Sequence, residues 1–484
     1  MCNSKNSSFA SSLIQPVSRR GILKQGALFS LSTTAFTMLG SKVLASGSSS
    51  LAGDGDQSTH YFLHIIIPAG LDNNYLFDAR PLAMTQAKLL ANYTGEEPSI
   101  YTGTNGQSTF VTKMTTSLMR HKDKFSVLNG VVMSPSFEGH DQNMNVLLTG
   151  NPFGGESYLP WHNKENLPLD YLRTLGFLQE NLTNTGSSLV MSPSQCKDLA
   201  AKVSRLTDPT NPTLGHISSR AAATGQGKGV FASAARRLGV ATGGVPELAG
   251  KLANIKITDH PIGQTDRERL LANTKADTEM LSQVFLNKVS PTGMMILSPG
   301  SVDTHNYDSA AKMPTLGTDV ADAIAQIFDD LAATPSEGGR SLLDDTTIII
   351  GSEFSRTMRQ RYSDFETTGT DHNPLTNTLI VAGKGVVGGL VLGESDFATP
   401  DEVLSGAHLA SDPDKVKLMG RPFNHSDGTV QRNNLMEGYD PYQYLTAINV
   451  TNTIQQILGI PAEKRFTHGR NLPPAAVIAP LIKS

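Results

Sequence analysis

Acidic and imidazole side chains recur at corresponding points of this chain, each beside a short apolar run. Asp72 follows "HYFLHIIIPAGL", Asp303 and His305 follow "GMMILSPGSV", and Glu353 and Arg356 lie in "TTIIIGSEFSRT". Asp371 and His372 stand just before another run, Thr378 to Ala382, and His140 opens a helical pattern in "EGHDQNMNVLLTG". Carboxylate oxygens with imidazole nitrogens are the donors that zinc, manganese, magnesium or calcium accept, and the lack of thiolates argues against iron–sulfur and cysteine-type zinc sites. A divalent ion held by Asp72, Asp303, His305, Glu353, Asp371 and His372 would lower the pKa of a bound water or hold an anionic oxygen, and hydrolysis of a phosphate or sulfate ester follows from either.

Each residue also has a plainer reading. Asp72 before Asn-Asn is ordinary turn chemistry, and Asp303 can cap a helix beside an incidental loop histidine. Glu353 can cap the next element or pair with Arg356, whose fork could equally hold an anionic substrate. His140, beside Asp141, could sit at a helix N-terminus as substrate ligand or general acid/base, or merely accompany a capping aspartate.

The elements that would gather these residues are legible in the pattern. Runs such as "TTIII" are rich in β-branched residues and too short for buried helices, so they read as strands covered on both faces. Between them lie helical patterns: residues 265–288, a stripe of Val320, Ala323, Ile324, Ile327, Phe328 and Leu331, and "DPYQYLTAINVTNTIQQILGI", which stops at Gly459. Helix alternating with apolar strand predicts an α/β fold, a mainly parallel central sheet with helices on both faces. Ligands in such folds collect at the carboxyl edge of the sheet, where these turns fall. Residues 150–260, rich in Pro and Gly and weakly periodic, read as an inserted cap within a single domain spanning 60–484.

The amino terminus carries a separate signal. Arg19 and Arg20 precede a short apolar stretch diluted by Ser, Thr and Gly, and small residues follow at Ala45, Ser46 and Gly47. This resembles a twin-arginine export signal, with the signal at 1–45, a Gly/Ser/Asp linker at 46–59, and no stable membrane span once it is cleaved. The resemblance implies the twin-arginine translocation machinery as a partner and a periplasmic or secreted location. Residues 1–45 hold five basic residues and no acid, so their removal takes the net charge from −4 to −9. An acidic chain of this kind gives no reason to expect nucleic acid as a partner; a small anionic or ester substrate is expected instead. Of the two cysteines, Cys2 falls in the signal and Cys196 is left with no internal partner, so stability must come from packing.

The order of these motifs, with "VAGKGVVGG" after the last, resembles the DUF1501 family of exported bacterial proteins over about residues 60 to 470. That family is similar to the alkaline phosphatase and sulfatase superfamily, which implies an alkaline phosphatase-like sheet. It also implies one metal held by Asp303, His305 and His372, and a second by Asp72 and Glu353. The chain departs from the pattern at Ala69 and Ser355, where the family has glycine, and at Phe354, where the superfamily offers histidine. No superfamily nucleophile is evident: Ser134 and Ser136 are conceivable, and Cys196 lacks the sulfatase context. Three functions stay open, namely a metal-dependent ester hydrolase, a non-catalytic binding or accessory protein on the same fold, and a structural envelope protein.

Overall fold

The computed structural model describes residues 60–81, 97–134, 136–165, 167–176, 178, 180, 182, 188–207, 250–298, 302–305, 312–357, 370–397, 418–431, 440, 442–469 and 472–483. All belong to one unit formed by residues 49–212 and 245–484. The export signal and linker read from the sequence lie outside the described residues, and so does 208–249 of the expected insertion.

The strands in chain order are β1 (Tyr61–Ile66), β2 (Ser99–Thr102), β3 (Ser108–Val111), β4 (Phe125–Leu128), β5 (Tyr171–Thr174), β6 (Ser188–Met191), β7 (Thr292–Ile296) and β8 (Thr346–Gly351). They continue with β9 (Ser355–Arg356), β10 (His372–Asn373), β11 (Leu379–Gly383) and β12 (Val391–Leu392). The longer helices are α1 (His140–Thr149), α2 (Pro193–Thr207), α3 (Asp266–Leu286), α4 (Met313–Ala333) and α5 (Ala447–Ile457). Eight strands form one sheet in the order β12-β4-β11-β8-β1-β7-β5-β6. Every pairing is parallel except the two made by β11, so β11 alone runs against the rest. The stretch read as an insertion therefore contributes β5 and β6 to the sheet.

Alternation along β1 explains the two layers. Tyr61, Leu63 and Ile65 join one apolar cluster with Leu281 and Phe285 of α3 and Ile324 and Phe328 of α4. Phe62 and Ile66 point the other way, into a cluster with Leu147 and Leu148 of α1 and Val450 and Ile454 of α5. Burial on both faces is why these strands read as unbroken apolar runs. The expected stripe on α4 is wholly buried. The helix begins ahead of that stripe, at Met313, with Pro314 in its first turn, where a missing N–H costs nothing. Helices α3 and α5 start at capping boxes, Thr265 with Glu268 and Thr446 with Asn449. Among the described residues no helix is long and apolar enough to cross a membrane.

One polar residue interrupts β1. His64 is fully buried, and its Nδ1 accepts a hydrogen bond from the Tyr158 hydroxyl at 3.1 Å. Burial lowers its pKa to about 3, and burial likewise lowers that of His162 to about 4, so both fold neutral. The unfolded chain protonates these rings near pH 6.5. Their stabilisation is thus present above pH 6.5 and lost as the pH falls from there towards 4, at up to about 1.4 kcal/mol per pH unit for each ring. Urea unfolding between pH 7.5 and 5 is expected to show this loss, and H64Q to make the dependence shallower.

Candidate metal centre

Strand register brings the predicted residues to one edge. Ile66 lies opposite Ile296 and Gly351, so β1, β7 and β8 end together. Asp72, Asp303 with His305, and Glu353 with Arg356 follow those three ends. Because β11 runs in the opposite direction, its first residue, Leu379, lies beside Leu128 at the end of β4. Asp371 and His372, which precede β11, therefore reach the same edge, and so does His140, which follows β4. The short ribbon of β9 with β10 then sets His372 opposite Arg356.

Three imidazoles meet there. Ring nitrogens of His140, His305 and His372 all lie within 4.8 Å of one another. The Nε2 atoms of His305 and His372 are 2.8 Å apart, hydrogen-bonding distance, so one ring donates to the other. Two of the rings are also steadied from behind, and the third has a carboxylate nearby. His372 Nδ1–H donates to the Glu138 carbonyl at 2.7 Å, which leaves Nε2 with its lone pair facing inward. His140 Nδ1 meets Glu353 Oε1 at 2.6 Å, and His305 Nδ1 lies 3.7 Å from Asp371 Oδ1. An imidazole whose far nitrogen is fixed by a carboxylate or carbonyl is the arrangement that orients histidine metal ligands. Tetrahedral zinc sets ligand nitrogens roughly 3.3 Å apart, so opening the His305–His372 gap by about 0.5 Å would admit an ion.

The carboxylates hold the surrounding loops. Buried Glu353 accepts from the Ala69 N–H at 2.8 Å and from the Ser352 hydroxyl at 2.8 Å, in addition to its contact with His140. Asp303 Oδ1 accepts from the His305 N–H at 3.1 Å, and Asp371 Oδ1 from the His372 N–H at 2.8 Å. Arg356 is completely buried. It donates through Nε to the Gly70 carbonyl at 3.0 Å and through Nη2 to the Ala69 carbonyl and, at 3.2 Å, to Asp303 Oδ1. Asp72 is buried in the first turn after β1, where its charge acts on Arg356 and, after burial, is the second factor raising the Tyr75 pKa.

Electrostatics favour neutral rings. Burial first, then the nearby Arg356 cation, lowers His372 to about 4 and moves His305 below its ordinary value. Neutral imidazole is the form that ligates a metal. Burial pushes Asp303 up, but Arg356 and the His305 N–H together bring it below the usual carboxylate range. Four carboxylates, Asp72, Asp303, Glu353 and Asp371, face the one guanidinium, and the balance favours a cation.

Of the residues singled out in the sequence, His140, His305 and His372 form the cluster. Glu353 and Asp371 stand behind two of its rings, Asp303 lies 3.8 Å from His305 Nε2, and Arg356 ties the loops beneath. Phe354 is buried against His372 with ring centroids 4.4 Å apart. Ser134 is buried and Ser136 exposed in the loop before α1, and neither hydrogen-bonds to the imidazoles among the described residues. Cys196 is buried in the core and burial raises its thiol to about 11, as suits a packing residue. The Glu138 carbonyl and the Ser352 hydroxyl were missed. The first is a main-chain group with no signal in residue type, and the second had none beyond adjacency to Glu353.

Fold and site together define an α/β protein with a carboxylate-backed histidine cluster at the carboxyl edge of its sheet. Residues 278–412 match the family described as "Protein of unknown function (DUF1501)", which bears out the resemblance over that segment. No curated protein matches the chain. Among solved structures, it is similar to the lipoteichoic acid synthase LtaP from Listeria monocytogenes, with 9% identity over 91% of this chain and 82% of that one and a TM-score of 0.39. It is also similar to an alkaline phosphatase superfamily protein from Vibrio parahaemolyticus, with 10% identity over 75% and 72% and a TM-score of 0.31. A third is a TAB5 alkaline phosphatase variant with Mg bound in its M3 site, with 10% identity over 69% and 94% and a TM-score of 0.29.

The turn under the cluster is tight. Ala69 and Gly70 both have positive φ, 81° and 72°. A Cβ on Gly70 would lie 2.3 Å from the Phe354 ring and 2.9 Å from Arg356 Nε. G70A is expected to cost about 2 kcal/mol or more, while A69G relieves a left-handed alanine and stabilises by up to about 1 kcal/mol. Denaturant midpoints of the two variants check both signs.

Proposed function

We propose that the chain is an exported, metal-dependent hydrolase of phosphate or sulfate esters, carried across the membrane by the twin-arginine machinery to the periplasm or the exterior. The observation that carries the catalytic part is the convergence of three imidazoles, two of them hydrogen-bonded to an acceptor through the other ring nitrogen. When bound, a divalent cation supplies Lewis-acid polarisation of an ester oxygen. His140, His305 and His372 would hold it, and Asp303, whose side chain is 41% exposed, is placed to add an oxygen donor.

The protein's own groups set the charge around the site. Asp72, Asp303, Glu353 and Asp371 would repel an anionic ester, and a cation held by the three imidazoles would offset that charge. Glu353 fixes the tautomer of His140, and Arg356 positions the loop that carries Asp303. Water is the nucleophile in this proposal.

Purified protein should bind a divalent ion and hydrolyse a chromogenic phosphate or sulfate ester only when loaded. H372A should abolish both properties, and E353Q should weaken metal affinity about 10- to 100-fold by freeing the His140 ring. Metal binding without turnover would favour the accessory-protein reading. Wild-type affinity in H372A would contradict the site.

A further inference from the structure

The opposite edge of the sheet carries a second concentration of charge. A cavity of about 470 Å³ opens where β8 and β4 begin and β11 ends, lined by Lys124, Arg340, Lys384 and Lys483 with Asp123 and Asp344, and buried Asp345 pairs with Arg340 behind it. Strand β8 starts here at Thr346 and ends at Gly351 beside the histidine cluster, so about 16 Å of strand separates the two places. The whole chain has a net charge of −4, and an excess of cations around one cavity runs against that balance.

The cavity is built from rigid parts. Gly383 has φ +87°, and a Cβ there would lie 1.8 Å from the Thr346 carbonyl oxygen. A Cβ on Gly388 would lie 2.4 Å from the Asp123 carbonyl oxygen. Only glycine lets this turn press against the starts of β8 and β4. The Lys384 N–H donates to the Thr346 carbonyl at 3.0 Å, and the Lys483 N–H to the Gly385 carbonyl at 3.0 Å, so the main chain of both lysines is fixed at the rim. Arg340 is anchored to buried Asp345 at 2.6 Å. Four cations therefore arrive from four separate segments. The volume suits a small molecule, and the cationic lining suits one with several negative charges.

We propose that this cavity binds a compact polyphosphate, a condensed phosphate chain of three or more negative charges. Lysine ammonium groups act as point charges for non-bridging phosphate oxygens, and Arg340, held by Asp345, stands at the wall of the cavity. The site is independent of the histidine cluster.

Titration calorimetry of the full chain with inorganic tripolyphosphate at low ionic strength tests this. A one-to-one complex is expected, weakened at least about tenfold in K124E/K483E and by a smaller factor in K124Q/K483Q, with H372A binding like the wild type. Thermal melts confirm that the variants fold. No heat from the wild type, unchanged affinity in both charge variants, or equal affinity for sulfate or citrate would overturn the proposal. Loss of binding in H372A would overturn it as well, by placing the ligand at the histidines.

Discussion

A fully buried guanidinium holds the carboxyl edge together. Arg356 has no solvent exposure, and its hydrogen bonds reach the Ala69 and Gly70 carbonyls after β1 and Asp303 after β7, while its own backbone follows β8. A buried charge is tolerated only where opposite charge and hydrogen bonds surround it, so three loops must close around this one group. The left-handed turn at Ala69 and Gly70 follows, because it directs both carbonyls at the guanidinium. The same turn aims the Ala69 N–H at Glu353, and Glu353 in turn fixes His140. Geometry at the imidazoles is thus inherited from ion pairing beneath them.

The sheet makes that closure possible. Parallel strands β1, β7 and β8 end in register, and β11 alone is reversed, which turns a preceding loop into a neighbour of the loops that follow its partners. Residues separated by more than 280 positions come within hydrogen-bonding distance. At the other edge the glycines of the β11–β12 turn allow close backbone approach, and a cavity lined by four cations and two aspartates forms there.

Much of this was legible in the sequence, and the reason is periodicity. Doubly covered strands leave unbroken apolar runs, and α4 leaves a clean stripe, so the α/β fold and the position of Asp303, His305, Glu353 and His372 at strand ends could be read directly. What escaped was the division of labour. Nothing in "SEFSRT" says that Glu353 stands behind a histidine or that Arg356 is wholly enclosed, because both depend on main-chain carbonyls and amides of residues 69, 70 and 138. The β9–β10 ribbon is two residues per strand, too short to leave a pattern, yet it sets His372 beside Arg356. Strands β5 and β6 lay hidden in a stretch whose Pro and Gly content suggested an insertion.

One divalent ion among the three imidazoles is what the proposed chemistry requires. Anomalous diffraction from crystals of the metal-loaded protein tests this most directly. The predicted result is one peak within about 2.0–2.2 Å of nitrogens from His140, His305 and His372. A peak bound elsewhere, or none at this cluster under saturating metal, would contradict it.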